Sequence, residues 1–302
     1  LTFNDDIQGT AAVAVAGLLA SLRITRKPLS QQRLLFFGAG EAGTGIAELF
    51  VTAAMAEGRT EAEARRQCWL FDSRGLVTSA RQDGSLAGHK AKFAHEHKPV
   101  ATLLGAVEAL HPTALIGTST QANAFDDAVL ARMAAENERP IVFALSNPTA
   151  KAECTAEAAI RATDGRVLFA SGSPFAPVSF GGRTFEPGQG NNVYIFPGVG
   201  LGLLAARSRL ATDEMFLAAA KALVTEVADD DLAVGRIFPK LSRVREVSVR
   251  VACRVAEVAF ARGLATIPRP VDLDAAVRAL MWSPNYPDYL SKDGGGAPTA
   301  GS

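Results

Sequence analysis

The sequence is poor in cysteine, and it lacks an excess of either charge, a long hydrophobic run and any internal repeat. Its three cysteines (Cys68, Cys154, Cys253) stand singly and far apart in 302 residues. That excludes a disulfide framework and paired metal-ligand spacing, and it fits a reducing compartment. Lys+Arg and Asp+Glu balance at 31 each, so no overall field favours nucleic acid or an anionic membrane. No basic stretch with interleaved aromatics marks a nucleic-acid binder either. The apolar run 11–22 is too short to span a bilayer. Asp5 and Asp6 precede it, where a secretory leader would carry basic residues. Its Ala, Gly and Leu content reads as a helix buried inside a domain. The chain opens on Leu1, not Met, and enters a motif almost at once, which reads as the start of a fragment or of a processed product.

What is present alternates. Short apolar runs at 33–37, 68–72, 114–117, 141–144 and 167–170 are separated by helical patterns at 41–57, 103–110, 126–136 and 156–161. Continuous apolar strands between helices indicate a parallel sheet covered on both faces. The expected fold class is therefore α/β, a doubly wound parallel sheet of Rossmann type. Additional C-terminal helices are expected at 193–206, packed closely on the sheet, at 213–229 and at 242–262. In the last of these Val244, Val247, Val251, Val255, Val258 and Ala259 recur at helical spacing and read as core. Residues 1–290 are expected to form the domain, and the Gly/Ala/Ser-rich 291–302 a disordered tail.

The run Leu34-Leu35-Phe36-Phe37 leads into Gly38-Ala39-Gly40-Glu41-Ala42-Gly43, with a helix expected to start near Glu41. A strand entering a glycine-rich turn and a helix N-terminus is the geometry that seats a dinucleotide pyrophosphate. The first glycine permits the tight turn, the second admits the phosphate to backbone, and the third lets helix and strand pack. Ligands in such sheets lie beyond the carboxyl ends of the strands. Those ends are Gly38–Gly43, 72–74, 117–120, 146–149 and 171–174, all small, polar or turn-forming. Turn chemistry alone also explains such residues. His89, His95 and His97 do not fall on one face of their charged segment, so zinc is not expected. Cys154 has no partner for nucleophilic catalysis.

Four stretches together carry a family resemblance. They are Phe3-Asn4-Asp5-Asp6-Ile7-Gln8-Gly9-Thr10-Ala11, the glycine turn, Phe143-Ala144-Leu145-Ser146-Asn147-Pro148-Thr149 and Pro187-Gly188-Gln189-Gly190-Asn191-Asn192. In this order they closely resemble the malic enzymes, and the similarity runs from about residue 3 to 289. The resemblance implies oxidative decarboxylation of (S)-malate to pyruvate and CO2 with NADP or NAD and Mg²⁺ or Mn²⁺. It implies a homo-oligomer, a dimer or tetramer, and a cytoplasmic or organellar (mitochondrial or plastid) location. By the same resemblance Asp6 matches a metal ligand, and Asp5 matches the aspartate that orients the catalytic lysine. Asn147 and Asn191 match side chains that hold malate, with Asn192 beside them. From spacing alone, Asp5 and Asp6 ahead of an apolar helix read as capping and dipole residues. The family's catalytic tyrosine and lysine and a Glu-Asp pair of metal ligands have no counterpart here. Tyr194, Tyr286 and Tyr289 all come late and match none of those motifs.

Asp72, at the end of the second strand, is where an acidic side chain normally bonds a ribose 2′-hydroxyl and favours NAD. Ser73 leaves room for a 2′-phosphate, and Lys90 matches the lysine of NADP-preferring malic enzymes. Arg81 offers a second cation whose planar guanidinium suits phosphate. NADP is therefore the expected cofactor. Two other classes share the glycine turn: a non-catalytic dinucleotide-binding module, and the cofactor domain of an amino-acid dehydrogenase. Neither explains 3–11 together with 188–192.

Overall fold

In chain order, a π-helical turn (Asp5–Gly9) leads into α1 (Thr10–Thr25), β1 (Leu34–Phe37), α2 (Glu41–Ala56), α3 (Glu61–Arg66), β2 (Cys68–Asp72) and β3 (Gly75–Leu76). Then come α4 (Leu103–Leu110), β4 (Ala114–Gly117), α5 (Asp127–Glu136), β5 (Ile141–Ala144), α6 (Ala156–Ala162) and β6 (Leu168–Ser171). A hairpin of β7 (Val178–Phe180) and β8 (Arg183–Phe185) and the short β9 (Gly188–Gln189) precede the last helices. These are α7 (Phe196–Ala205), α8 (Asp213–Thr225), α9 (Asp229–Ala233), α10 (Val244–Ala261) and α11 (Leu273–Leu280). The computed structural model describes residues 1–81, 84, 86 and 88–283. The expected tail 291–302, Tyr286 and Tyr289 lie outside the described residues.

The sheet has seven strands in the order β3-β2-β1-β4-β5-β6-β9, parallel except for the antiparallel β3. The chain reverses direction of travel between β1 and β4, the switch point at which a doubly wound sheet opens a crevice. In register, Phe37 pairs with both Phe71 and Gly117, and Ala144 with both Gly117 and Ser171. The carboxyl ends of five strands therefore finish level.

Alternation of side chains explains why the strand runs are apolar throughout. Leu34, Phe36, Ile116 and Phe143 enter one core, with α1, α2, α8 and α10; Leu35, Phe37, Leu115 and Val142 enter the other, with α4, α5 and α6. All four residues of β1 are buried, and such side chains contribute roughly 1.5–3 kcal/mol each as an upper figure.

The helix containing the run 11–22 is longer than that run. With the π-turn it extends from Asp5 to Thr25, 21 residues, long and apolar enough to cross a membrane by length and composition. Here it is a core helix, buried from Ala11 through Leu18 and packed on α2 and α8. Its small residues allow this, since a Cβ at Gly17 would lie 2.8 Å from Phe238 Cζ.

Two further details differ from the sequence expectation. The 213–229 pattern divides, because Ala228 is extended and its N–H donates to Asp231 Oδ2, starting α9. Gly198 and Gly202 of α7 serve α10 rather than the sheet. A Cβ at Gly198 would lie 2.6 Å from Val251 Cβ, and one at Gly202 2.5 Å from the Ala252 carbonyl.

Candidate functional site

A cleft of about 480 Å³ opens at the carboxyl ends of β1, β2 and β4, lined by Gly38–Glu41, Asp72, Ser73, His89, Lys90, Thr118 and Ser119 among others. The glycine turn divides its work by position. Gly38 has φ +118°, and a Cβ there would lie 2.7 Å from the Thr118 backbone. Gly43 is pressed against the Gly38 carbonyl, which a Cβ would meet at 2.2 Å. Gly40 is the opposite case: exposed, extended (φ −84°, ψ −172°) and with nothing within 4 Å of an added Cβ. Open space above backbone is what an approaching phosphate requires. Gly40 caps α2 without a side chain, which leaves first-turn N–H groups and the positive dipole end for an anion. Ala39 is buried, Ala42 half-buried and Glu41 exposed, with Glu41 Oε1 3.1 Å from His89 Nδ1.

Asp72 is held from four directions. Arg81 donates from Nη1 to Oδ2 and from Nη2 to Oδ1, both at 2.9 Å; Lys90 Nζ donates to Oδ2 at 3.2 Å, and the Arg74 N–H to Oδ1 at 2.9 Å. A carboxylate has about four lone-pair sites, and these donors match them. Burial pushes this carboxyl upward, but Arg81, the Arg74 N–H and Lys90 outweigh it and hold it below the usual carboxylate range. Asp72 is thus engaged within the protein rather than aimed at a ribose. Arg81 is also committed: its side chain is 9% exposed, and it donates further to the Gly75 and Leu76 carbonyls. Lys90, at 25%, is the more accessible cation. The three charges sum to one positive charge at the mouth of the cleft.

The opening motif and Asn192 meet across 187 positions. Asn192 Nδ2 donates to Asp5 Oδ2 and to the Asp5 carbonyl, each at 3.1 Å, and lies 3.2 Å from Thr10 Oγ1. Asn4, rather than Asp5 or Asp6, caps the π-turn, accepting from the Ile7 N–H at 3.2 Å. Gly9 makes the fold-back of Asp5 possible, because a Cβ there would lie 2.0 Å from Asp5 Oδ1. That Oδ1 is buried and has no hydrogen-bond partner among the described residues. Burial lifts the Asp5 carboxyl above its ordinary range; the Asn192 hydrogen bond opposes this, and the charge of Asp6 adds to it. Asp6 is exposed.

Asn191 accepts the Val193 N–H at 2.9 Å through Oδ1, and its amide NH2 donates to none of the described residues. Asn147 is exposed and precedes a cis peptide to Pro148. Tyr194 is structural: its hydroxyl donates to the Pro239 carbonyl at 2.7 Å, its ring stacks on Phe238, and burial, aided by Asp231, pushes its pKa up to about 12.

The histidines do not converge. His95 Nε2 lies 2.9 Å from the Cys68 carbonyl, and both His95 and His97 meet the Trp69 ring edge to face, while His89 sits with Glu41. Among the described residues no group of three or more His, Cys, Asp or Glu could hold a metal. Asp6 is an exposed hard-oxygen donor of the right chemistry for Mg²⁺ or Mn²⁺ but an incomplete set by itself. One residue escaped the sequence reading. Glu153 is fully buried and ties the loops after β4 and β5 together, and no local pattern separates it from the solvated glutamates nearby.

The family model of the malic enzyme NAD-binding domain matches residues 7–260. An NADP-dependent malic enzyme of Homo sapiens is 50% identical over 291 residues, which are 96% of this chain and 50% of that protein. Chloroplastic NADP-dependent malic enzyme 4 of Arabidopsis thaliana is 48% identical, over 96% of this chain and 45% of that one. Among solved structures, the Entamoeba histolytica malic enzyme superimposes with a TM-score of 0.74 at 26% identity, covering 92% of this chain and 52% of that chain. The Pyrococcus horikoshii malic enzyme gives 0.71 at 28% identity, covering 92% and 58%. The chain thus spans about half the length of the curated relatives it matches. With its switch-point cleft, its glycine turn and this match over most of its length, the chain belongs to the malic enzyme NAD-binding domain family.

Proposed function

We propose that this chain is the cofactor-carrying half of an enzyme that oxidatively decarboxylates (S)-malate to pyruvate and CO2 with NADP⁺. The observation that carries the proposal is the Asn192–Asp5 hydrogen bond. It joins two of the family's motifs in one cluster, where a module that only bound dinucleotide would need neither. The glycine turn receives the pyrophosphate. Lys90 faces the 2′-phosphate, while Arg81 neutralises the carboxylate that would otherwise repel it. Asn191 offers its amide hydrogens to a malate carboxylate, adding no charge beside a cation, and Asn147 stands exposed at the end of β5 for the same use. Asn192 holds Asp5, and Asp5 Oδ1 is the acceptor that a lysine ammonium would satisfy. Asp6 supplies one carboxylate to Mg²⁺ or Mn²⁺, whose chemistry when bound is Lewis-acid polarisation of a substrate oxygen. The remaining ligands and the principal acid–base pair have no counterpart in this chain's motifs. On its own it should bind cofactor without turning malate over. Dimeric or tetrameric assembly and a cytoplasmic or organellar location belong to the same proposal.

The test is calorimetric titration of this chain with NADP⁺ and NAD⁺, with and without Mg²⁺ and malate. Tighter binding of NADP⁺, with no effect of malate, supports the proposal. Equal or preferential binding of NAD⁺ overturns the cofactor assignment. Malate turnover by this chain alone overturns the claim that it lacks the acid–base pair.

A further inference from the structure

Glu153 is 0% exposed, yet among the described residues no lysine, arginine or histidine pairs with it. Its oxygens are satisfied by two loops instead. Oε1 accepts from the Ser119 N–H at 2.9 Å, from Ser119 Oγ at 3.0 Å and from Ser146 Oγ at 2.5 Å; Oε2 accepts from the Ser146 N–H at 3.3 Å. Donors converging on both oxygens suit an ionised carboxylate, which only accepts. The strand beside it is shaped to fit, since a Cβ at Gly117 would lie 2.4 Å from Glu153 Cδ. Ser146 in turn accepts the Thr120 N–H at 2.9 Å, closing the network.

The two loops are those that follow β4 and β5. Ser119 lines the cofactor cleft, and Ser146 immediately precedes Asn147. In a doubly wound sheet the dinucleotide crosses the switch point, so its adenosine half lies over β1 and β2 and its nicotinamide half over β4 and β5. Glu153, bound to the loops after β4 and β5, therefore sits on the side of the crevice that the nicotinamide half would occupy.

Resting on the cofactor assignment proposed above, we infer that Glu153 is a positioning residue for the nicotinamide half of the cofactor. It clamps the Ser119 and Ser146 loops at one separation, so that the surface under the nicotinamide ribose and the side chain of Asn147 keep a fixed relation. A glutamine retains the shape but turns an NH2 toward N–H and O–H donors, so it loosens the clamp without emptying the space.

The experiment compares two probes on this chain. NADP⁺ engages both halves of the cleft; adenosine 2′,5′-bisphosphate has no nicotinamide ribose and engages only the β1–β2 half. In Glu153→Gln the NADP⁺ affinity should fall about tenfold, the equivalent of one lost charge-assisted hydrogen bond. The bisphosphate should keep its affinity within about twofold, as a distant and independent site does. Ser146→Ala leaves the carboxylate in place and should lose NADP⁺ affinity in the same direction, which keeps the test open where Glu153→Gln does not fold. Parallel loss of both probes, or loss of neither, overturns the inference while leaving the cofactor assignment intact. If the unaltered chain binds neither probe, the cofactor assignment falls and the inference falls with it.

Discussion

Replacing Lys90 with glutamine tests the electrostatics of the cleft mouth most directly. Lys90 Nζ lies 3.2 Å from Asp72 Oδ2 with a quarter of its side chain exposed, and Arg81 grips the same carboxylate through two bonds at 2.9 Å. Because Arg81 and the Arg74 N–H stay in place, Asp72 remains ionised and held. Loss of one partly exposed ion pair should lower stability by no more than about 1 kcal/mol. The effect on nucleotide is larger. Hydrogen bonds to charged groups contribute roughly 1.5–3 kcal/mol, and partial solvent screening places this one near the lower end. That corresponds to about ten- to thirtyfold weaker NADP⁺ binding. NAD⁺ has no 2′-phosphate, so its affinity should change by about twofold or less. Titration of both nucleotides at low and moderate salt measures the ratio, and the NADP⁺ loss should shrink as salt rises. Lys90→Arg should keep most of the preference. An unchanged NADP⁺/NAD⁺ ratio in Lys90→Gln would refute the assignment of Lys90 to the 2′-phosphate.

The glycine turn should separate folding from binding: Gly40→Ala should keep its melting temperature but bind nucleotide at least about tenfold more weakly, because its Cβ meets only the space the pyrophosphate needs. Gly43→Ala, whose Cβ would lie 2.2 Å from the Gly38 carbonyl, should instead lose about 1–3 kcal/mol in a denaturation curve. Asp5 has a raised carboxyl pKa, caused first by burial, so folding favours its protonated form. Its contribution is present at low pH and is lost as pH rises through the raised native value, so the melting temperature of Asp5→Asn relative to the parent should increase between about pH 4 and pH 7; a difference that stays flat or falls contradicts this. Burial pushes the Cys68 and Cys154 thiols up and seals both. Mass spectrometry after iodoacetamide should find only the half-buried Cys253 modified in the native chain, and alkylation of Cys68 or Cys154 before unfolding would count against that packing.

Much of the sheet was legible because its central strands are short, mostly apolar runs, and such runs are buried on both faces. The glycine turn was legible because its glycine spacing directly follows an apolar strand run and precedes a helix pattern. The β7–β8 hairpin turns on the pair Gly181-Gly182 at φ +57° and +72° between two short β-type runs, a signal that the loop-rich stretch around it obscures in the sequence. Helix α11 is only eight residues long, and its start is signalled by the Asp272 side chain that accepts from the Ala275 N–H. Arg81 reads in the sequence as a cation for phosphate, and in the structure its guanidinium pairs with Asp72. A sequence shows that an arginine lies nine positions away but not which way its guanidinium turns.

By itself the sequence determined the alternation of strand and helix, the strand–turn–helix that can seat a pyrophosphate, and membership of a family through four ordered motifs. These follow from side-chain volume, backbone freedom and local order, all of which act over a few residues. Only the tertiary structure decided that Asn192 holds Asp5, that Asp72 is saturated by four donors, and that Glu153 lies buried between two loops with no cation paired to it among the described residues. Each of those outcomes depends on groups that the folded chain brings within 3.5 Å, and the energy of a charged group depends on those neighbours and on burial rather than on its position in the chain.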